Sequence, residues 1–252
     1  MKRVLGWYAA LLYAFLHLPL LILIAFSFNS SRFSVWEGFS LNWYRAMWTN
    51  TQMAEAAWNS VIIAAASSLL ATAIGTAAAY GMWKRKAPLL QVSLYLTLVT
   101  PEIVTGIALL ALFQWIFRWM PFRLGLGTVI LAHVAFSIAY VAIVLTARLR
   151  TMDPALEEAA LDLGASEWTA FRRVTLPLLA PAMGAAALLA LVVSFDDYVI
   201  TSMVAGVDSE TLPMVIYAMA RRGVNPVLNA VSSVMVVFFG SLILLSEKVR
   251  AR

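Results

Sequence analysis

Six times between Val4 and Ser246 the sequence runs almost uninterruptedly apolar for about twenty residues or more. The runs lie near Val4–Ser27, Ala57–Trp83, Leu89–Phe117, Gly127–Ala147, Leu178–Ala205 and Val227–Ser246. A hydrocarbon layer of about 30 Å takes roughly 20 helical residues to cross. Within it only helices and closed barrels satisfy their own backbone groups. The runs therefore predict six transmembrane helices in an all-α polytopic membrane protein. Composition agrees, with 62% of the 252 residues hydrophobic and 12% charged, against about half and about a quarter in soluble domains. No soluble core could bury that excess, so lipid must cover it. No internal repeat or low-complexity stretch divides the chain, and residues 1–252 read as one transmembrane domain.

The formal charge of +5 does not point to nucleic acid, because the cations cluster at the ends of the apolar runs. With the N-terminus inside, one face carries Lys2, Arg3, Lys84, Arg85, Lys86, Arg148, Arg150, Arg172, Arg173, Lys248, Arg250 and Arg252. The other carries only Arg32, Arg45, Arg118, Arg123, Arg221 and Arg222. Positive charge favours the cytoplasmic side, which places both termini in the cytoplasm. The first run is too long for the core of a cleavable signal peptide. The chain has no cysteine, which excludes disulfides and thiolate metal sites.

The external segment Phe28–Ala56 holds Trp36, Trp43, Tyr44 and Trp48, an aromatic belt at the membrane interface or, as the sharper alternative, a ligand box. In the third run Thr100-Pro101-Glu102 sits near the bilayer centre, where proline breaks the helical ladder. Freed backbone at that depth must lie beside protein or water. Leu212–Ala220 is apolar but too short to span, and reads as a half-helix dipping in from outside or as an interfacial helix.

Reacting centres are missing. There is no phosphate-binding Gly-x-x-x-x-Gly-Lys loop, no HExxH and no Gly-x-Ser-x-Gly elbow. His17 and His133 stand alone in separate runs, as satisfied or pore-lining histidines rather than metal ligands. No catalytic residue and no metal site is expected. The positive signal is acid inside the spans, where a charge costs on the order of 2.5–3.5 kcal/mol on insertion scales. Glu102 lies in the third run and the pair Asp196-Asp197 in the fifth. On a continuous helix Ser194, Asp197 and Thr201 would share one face, a polar stripe fit to line a pathway. The acids could instead pair with arginines or cap broken helices. As pathway residues, with Tyr198 adding a cation–π surface, they favour a cationic passenger.

One polar stretch interrupts this pattern, Arg148–Pro177. Asp153 can cap a first short helix whose first turn holds Pro154. Gly164 can close that helix in the left-handed conformation, and Ser166 can cap a second. The small residues Ala159, Ala160, Gly164 and Ala165 leave the backbone open to close approach by another protein.

Here the sequence resembles a known family. Glu158-Ala159-Ala160, Gly164 and Val174-Thr175-Leu176-Pro177 resemble the EAA signature of binding-protein-dependent ABC importer permeases, with Val174 at the usual isoleucine. The resemblance implies the type I permease fold, with coupling helices at about 148–177. It also implies that Glu158, Ala159, Ala160, Gly164 and Ala165 seat in a cytoplasmic ABC ATPase dimer carrying the ATP and magnesium that this chain does not bind. A paralogous permease and a periplasmic substrate-binding protein would complete a complex in the bacterial inner membrane. Ser27–Ser31, Pro101-Glu102-Ile103, Leu131–Val134, Phe195–Tyr198, Thr211–Met214 and Gly223–Pro226 resemble the second permease of spermidine/putrescine importers, although Glu102 stands where many relatives carry aspartate. Polyamine import is the expectation. A permease for another small solute, a proton-coupled carrier and a non-transporting scaffold are the alternatives.

Overall fold

The computed structural model describes residues 2–33, 35–223 and 225–250; Val224 of the Gly223–Pro226 motif and the C-terminal Arg252 lie outside them. The described chain is almost entirely helical. Its helices are α1 Lys2–Phe26, α2 Asn42–Trp48, α3 Thr51–Lys84, α4 Pro88–Val99, α5 Glu102–Phe117 and α6 Leu126–Leu149, then α7 Ala155–Asp162, α8 Glu167–Ala170, α9 Leu176–Asp196, α10 Val199–Val204, α11 Leu212–Arg221 and α12 Pro226–Arg250. Among the described residues four stretches are long and apolar enough to cross a membrane: Val4–Phe26, Thr51–Lys84, Leu126–Leu149 and Glu167–Asp196. The pair α4 and α5 makes a fifth if counted as one broken span. The sixth expected run falls in α12, a helix of 25 residues and so roughly 37 Å long at the helical rise.

Three expectations change. The third run is two helices meeting at 113° rather than one kinked helix. Pro101 has no N–H to give and forces the residue before it out of the helical region, and Thr100 is accordingly extended at φ −66°, ψ 128°. The fifth run stops at Asp196, because Asp197 is extended at φ −65°, ψ 125°, and a separate α10 follows. The second helix of the polar stretch is not separate: α8 passes through a π-helical turn, Phe171–Thr175, into α9. Pro177 supplies no N–H to the carbonyl one turn back, and a wider turn before it lets the helix continue.

The chain forms two compact units. In the first, Met1–Glu55 with Val215–Arg252, α12 packs on α1 and α2. Its Ser27–Leu41 loop is organised by buried Asn29. The Asn29 side chain donates to the Val35 carbonyl (2.7 Å) and accepts from the Glu37 N–H (3.0 Å), while Trp43 Nε1 donates to the Asn29 carbonyl (2.6 Å). Tyr44 Oη lies 2.7 Å from Ser27 Oγ, so Trp43 and Tyr44 both brace this loop, whereas Trp36 and Trp48 are exposed.

In the second unit, Ala56–Met214, α6 is the buried axis. Val129, Ala132, Ala139, Val141, Ala142, Leu145 and Leu149 have almost no exposed surface. One side of α6 meets α3 and α9 through Ala71, Ala79, Leu179, Ala186 and Ala190. The other meets α3, α5 and α10 through Ile63, Phe113, Ile200 and Val204. Lipid gives no hydrophobic drive for helix association, so close packing of small residues carries it. Among the glycines within helices Gly75 of α3 is the tightest point: a β-carbon there would come within 2.7 Å of Val141 Cγ1. Gly75→Ala should cost about 1–3 kcal/mol by overpacking. Val141→Ala in the same chain should restore much of it, because the two sites touch; thermal unfolding of the detergent-solubilised protein measures both.

Candidate functional site

The two backbone breaks meet at one cavity of about 350 Å³. It is lined by Glu102 and Thr105 of α5, Thr97 and Thr100 beside them, Tyr140 of α6, and Asp196, Asp197 and Tyr198 at the α9–α10 break. Among the described residues no Lys or Arg lines it. Glu102 is the first residue of α5, where a carboxylate offsets the positive end of the helix dipole. Asp196 is the last residue of α9. Both are exposed, and among the described residues neither carboxylate takes part in a hydrogen bond or ion pair.

The neighbouring Asp197 is used differently. Its side chain is 5% exposed. It accepts from the N–H groups of Ile200 (3.3 Å) and Thr201 (2.8 Å) and from the Thr201 hydroxyl (2.7 Å). This is N-capping geometry, satisfying donors that the first turn of α10 leaves without a helical partner. Fully buried His133 of α6 completes the arrangement: Nε2 lies 2.9 Å from Thr201 Oγ1 and 3.3 Å from Asp197 Oδ2, and Nδ1 lies 2.7 Å from Ser194 Oγ. Thr201 has one hydroxyl proton and gives it to Asp197, so Nε2 of His133 carries a hydrogen and donates. Ser67 of α3 extends the network to Ser194 at 2.9 Å. Ser194, Asp197 and Thr201 do converge, but on a histidine inside the protein. Ser194 and Thr201 are 3% and 0% exposed and do not line the cavity.

The second candidate surface is the polar stretch. Ala155 N–H donates to Asp153 Oδ1 at 3.0 Å, and Thr169 N–H donates to Ser166 Oγ at 3.3 Å, as the sequence suggests. Gly164 adopts φ +87°. The N–H groups of Gly164 and Ala165 reach the carbonyls of Leu161 and Ala160 at 2.9 and 3.0 Å, the paired bonds of a Schellman motif. Glu158, Ala159 and Gly164 are exposed, Ala160 and Ala165 half-buried. Around them Leu156, Leu163 and Trp168 show 50%, 90% and 67% of their surface, an apolar rim on an otherwise polar element.

Two residues escape sequence reasoning. His133 stands out only as a lone histidine, and nothing in sequence links it to Ser194 and Thr201 in two other helices. Glu157 is overshadowed by Glu158, yet it is the buried one of the two, at 2% exposure. A glutamate doublet opposite the Lys84-Arg85-Lys86 run is the signal that could have found it.

Residues 71–248 match the family model described as binding-protein-dependent transport system inner membrane component. The chain is 38% identical over 239 residues to the spermidine/putrescine transport system permease protein PotC of Haemophilus influenzae, covering 93% of this chain and 91% of that one. It is 39% identical over 231 residues to the putrescine transport system permease protein PotI of Escherichia coli, covering 88% and 82%. In fold it resembles a chain of a bacterial ABC transporter that imports alginate, with TM-score 0.75 at 17% identity over 98% of this chain and 96% of the other. It also resembles a chain of the MetNI methionine ABC transporter, with TM-score 0.68 at 17% identity over 82% and 97%. Apolar spans, a broken-helix cavity and the matched residues together establish that this multi-pass membrane chain belongs to the inner-membrane component family of binding-protein-dependent transport systems.

Proposed function

We propose that the chain is the permease subunit of an ATP-driven polyamine importer and that Glu102 and Asp196 bind the cationic passenger. The observation that carries this is two carboxylates that, among the described residues, have no partner at a cavity lined by tyrosines and by no Lys or Arg, in a chain similar to permeases named for spermidine and putrescine. An acid at membrane depth is costly unless it faces a partner or a watery path. At 4 Å and an effective dielectric of 20, a carboxylate and an ammonium attract by about 4 kcal/mol before desolvation. Two spaced acids therefore suit two ammonium groups joined by methylenes, and Tyr198 and Tyr140 offer cation–π faces. Binding stays weak enough for release, with selection made by an external binding protein.

In this reading the 148–177 stretch faces the cytoplasm with both termini. A paralogous permease forms the other half of the path. Two ABC ATPases, carrying ATP and magnesium, dock on the rim of Leu156, Leu163 and Trp168 around Glu158 and Gly164. Their closure moves the docked helices and opens the cavity outward; hydrolysis returns it.

Asp196 and Asp197 then have separable roles. Asp196→Asn should lower labelled-putrescine uptake at least about tenfold, the equivalent of 1.4 kcal/mol, while the purified complex keeps its melting temperature. Asp197→Ala should lower the melting temperature itself, since a lost cap costs about 0.5–2 kcal/mol. Normal uptake by the Asp196 variant would remove it from the path. For the docking surface, Gly164→Leu forces a side chain into φ +87° and undoes the Schellman turn. The ATPase should then co-purify substoichiometrically, and full retention would count against docking there.

A further inference from the structure

Glu157 sits at the centre of a closed polar knot. Its Oε1 pairs with Lys84 Nζ at 2.5 Å and accepts from the Tyr80 hydroxyl at 2.8 Å. Its Oε2 accepts from the Thr175 hydroxyl at 2.6 Å. The knot joins three elements: α7, the last turn of α3, and the π turn at the root of α9. Aromatic rings wall it. Tyr80 lies 4.5 Å from the Phe171 ring, Phe171 lies 5.6 Å from Trp168, and Lys84 Nζ sits 5.1 Å over Trp83. Burial alone would push the Glu157 carboxyl up, but hydrogen bonds from Lys84, Thr175 and Tyr80 outweigh it and hold the group below the usual carboxylate range. It is therefore charged at neutral pH.

The backbone alone does not hold α7 to the spans. It leaves α6 through the turn at Arg150–Pro154 and enters α8 through the turn at Gly164, whose positive φ marks a sharp corner. A helix joined by two short turns can swivel under a push unless side chains fix it. Ala160 and Leu161 are half-buried, and Glu157 is the α7 side chain whose polar atoms reach α3 and the α9 root.

We infer that Glu157 is the positioning residue of the docking element: it locks α7 to the inner end of α3 and the root of α9, so that displacement of α7 becomes displacement of the spanning helices. This rests on the reading that the ATPase docks on α7 and its neighbours, and it assigns force transmission to a residue buried behind the docking face. Loss of the lock leaves hydrolysis running while the spans no longer follow.

The test uses the whole complex in proteoliposomes, with labelled putrescine uptake and ATP hydrolysis measured on the same sample. Glu157→Gln loses the ion pair and keeps a single acceptor oxygen, its NH2 facing the other hydroxyl, which can rotate to accept from it, and Lys84→Met loses the pair from the other side. Both should hydrolyse ATP within twofold of the unmodified complex and take up at least fivefold less putrescine per ATP. A ratio of uptake to hydrolysis equal to the unmodified complex in Lys84→Met overturns the inference, whatever happens to the absolute rates. Should Glu157→Gln fail to assemble, the Lys84→Met ratio decides. The docking reading is tested apart from this: the chain has no cysteine, so Leu163→Cys offers a single cross-linking point. Absence of a cross-link to the ATPase removes the docking reading and the inference with it. A cross-link with an unchanged ratio overturns the inference alone.

Discussion

In a hydrocarbon layer, backbone N–H and C=O groups must find partners within the protein, and the second unit is arranged around the two places where its helices fail to provide them. At the α4–α5 corner, proline removes one donor, and the chain recovers through Val104 and Thr105 N–H groups that both reach the Pro101 carbonyl at 2.9 and 3.1 Å. At the α9–α10 break the recovery is made by a side chain, the Asp197 carboxylate over the first turn of α10. Both breaks border the same cavity. Interrupted helices are tolerated at membrane depth where they line such a space, so cavity and breaks explain one another.

His133 shows what keeps the second break in place. A charged cap inside a membrane protein needs neighbours of its own, and the histidine links Asp197 and Thr201 on one side to Ser194 and Ser67 on the other. Four helices, α3, α6, α9 and α10, thereby share one buried network. Truncating any member strands the others, and a buried unsatisfied polar group costs about 1–3 kcal/mol. The same network separates the two adjacent aspartates. Asp197 is consumed by structure, which leaves Asp196 as the acid of the pair with a free carboxylate at the cavity.

Much of this was legible in the sequence wherever the cause is local. Asp153, Gly164 and Ser166 act as caps and closure because each needs only its own turn, and Pro101 breaks a ladder by its own chemistry. The apolar runs mark the spans for the same reason. What was not legible is non-local. The 113° corner depends on what α5 packs against, and α5 packs on α10. The end of α9 carries no proline or glycine; Asp197 stops it because a histidine from α6 stabilises the carboxylate in that position. Glu157 and Glu158 are chemically identical neighbours, and only the tertiary position of Lys84 and Thr175 decides which is buried. For the acids within the apolar runs, sequence supplied Glu102, Asp196 and Asp197 as candidates, and geometry divided them by partner.

One helical stretch joins the cavity to the polar 148–177 segment. Residues Glu167–Asp196 form one stretch of 30 helical residues, roughly 45 Å at the helical rise, with Ser166 capping one end and the cavity acid Asp196 at the other. A continuous helix transmits displacement only as far as its hydrogen-bond ladder is unbroken. Here the ladder is weakened near its root, where the π turn Phe171–Thr175 is followed by Pro177 and Pro181, each withholding a donor. Beyond that point no further proline interrupts the ladder before Asp196, and Ala186 and Ala190 are wholly buried. Bending is therefore favoured over a few residues at the base, and Thr175, the last residue of the π turn, is one of those Glu157 holds. The buried glutamate clamps the helix where it would otherwise give, which is the position from which a single side chain has most leverage over whether the far end moves.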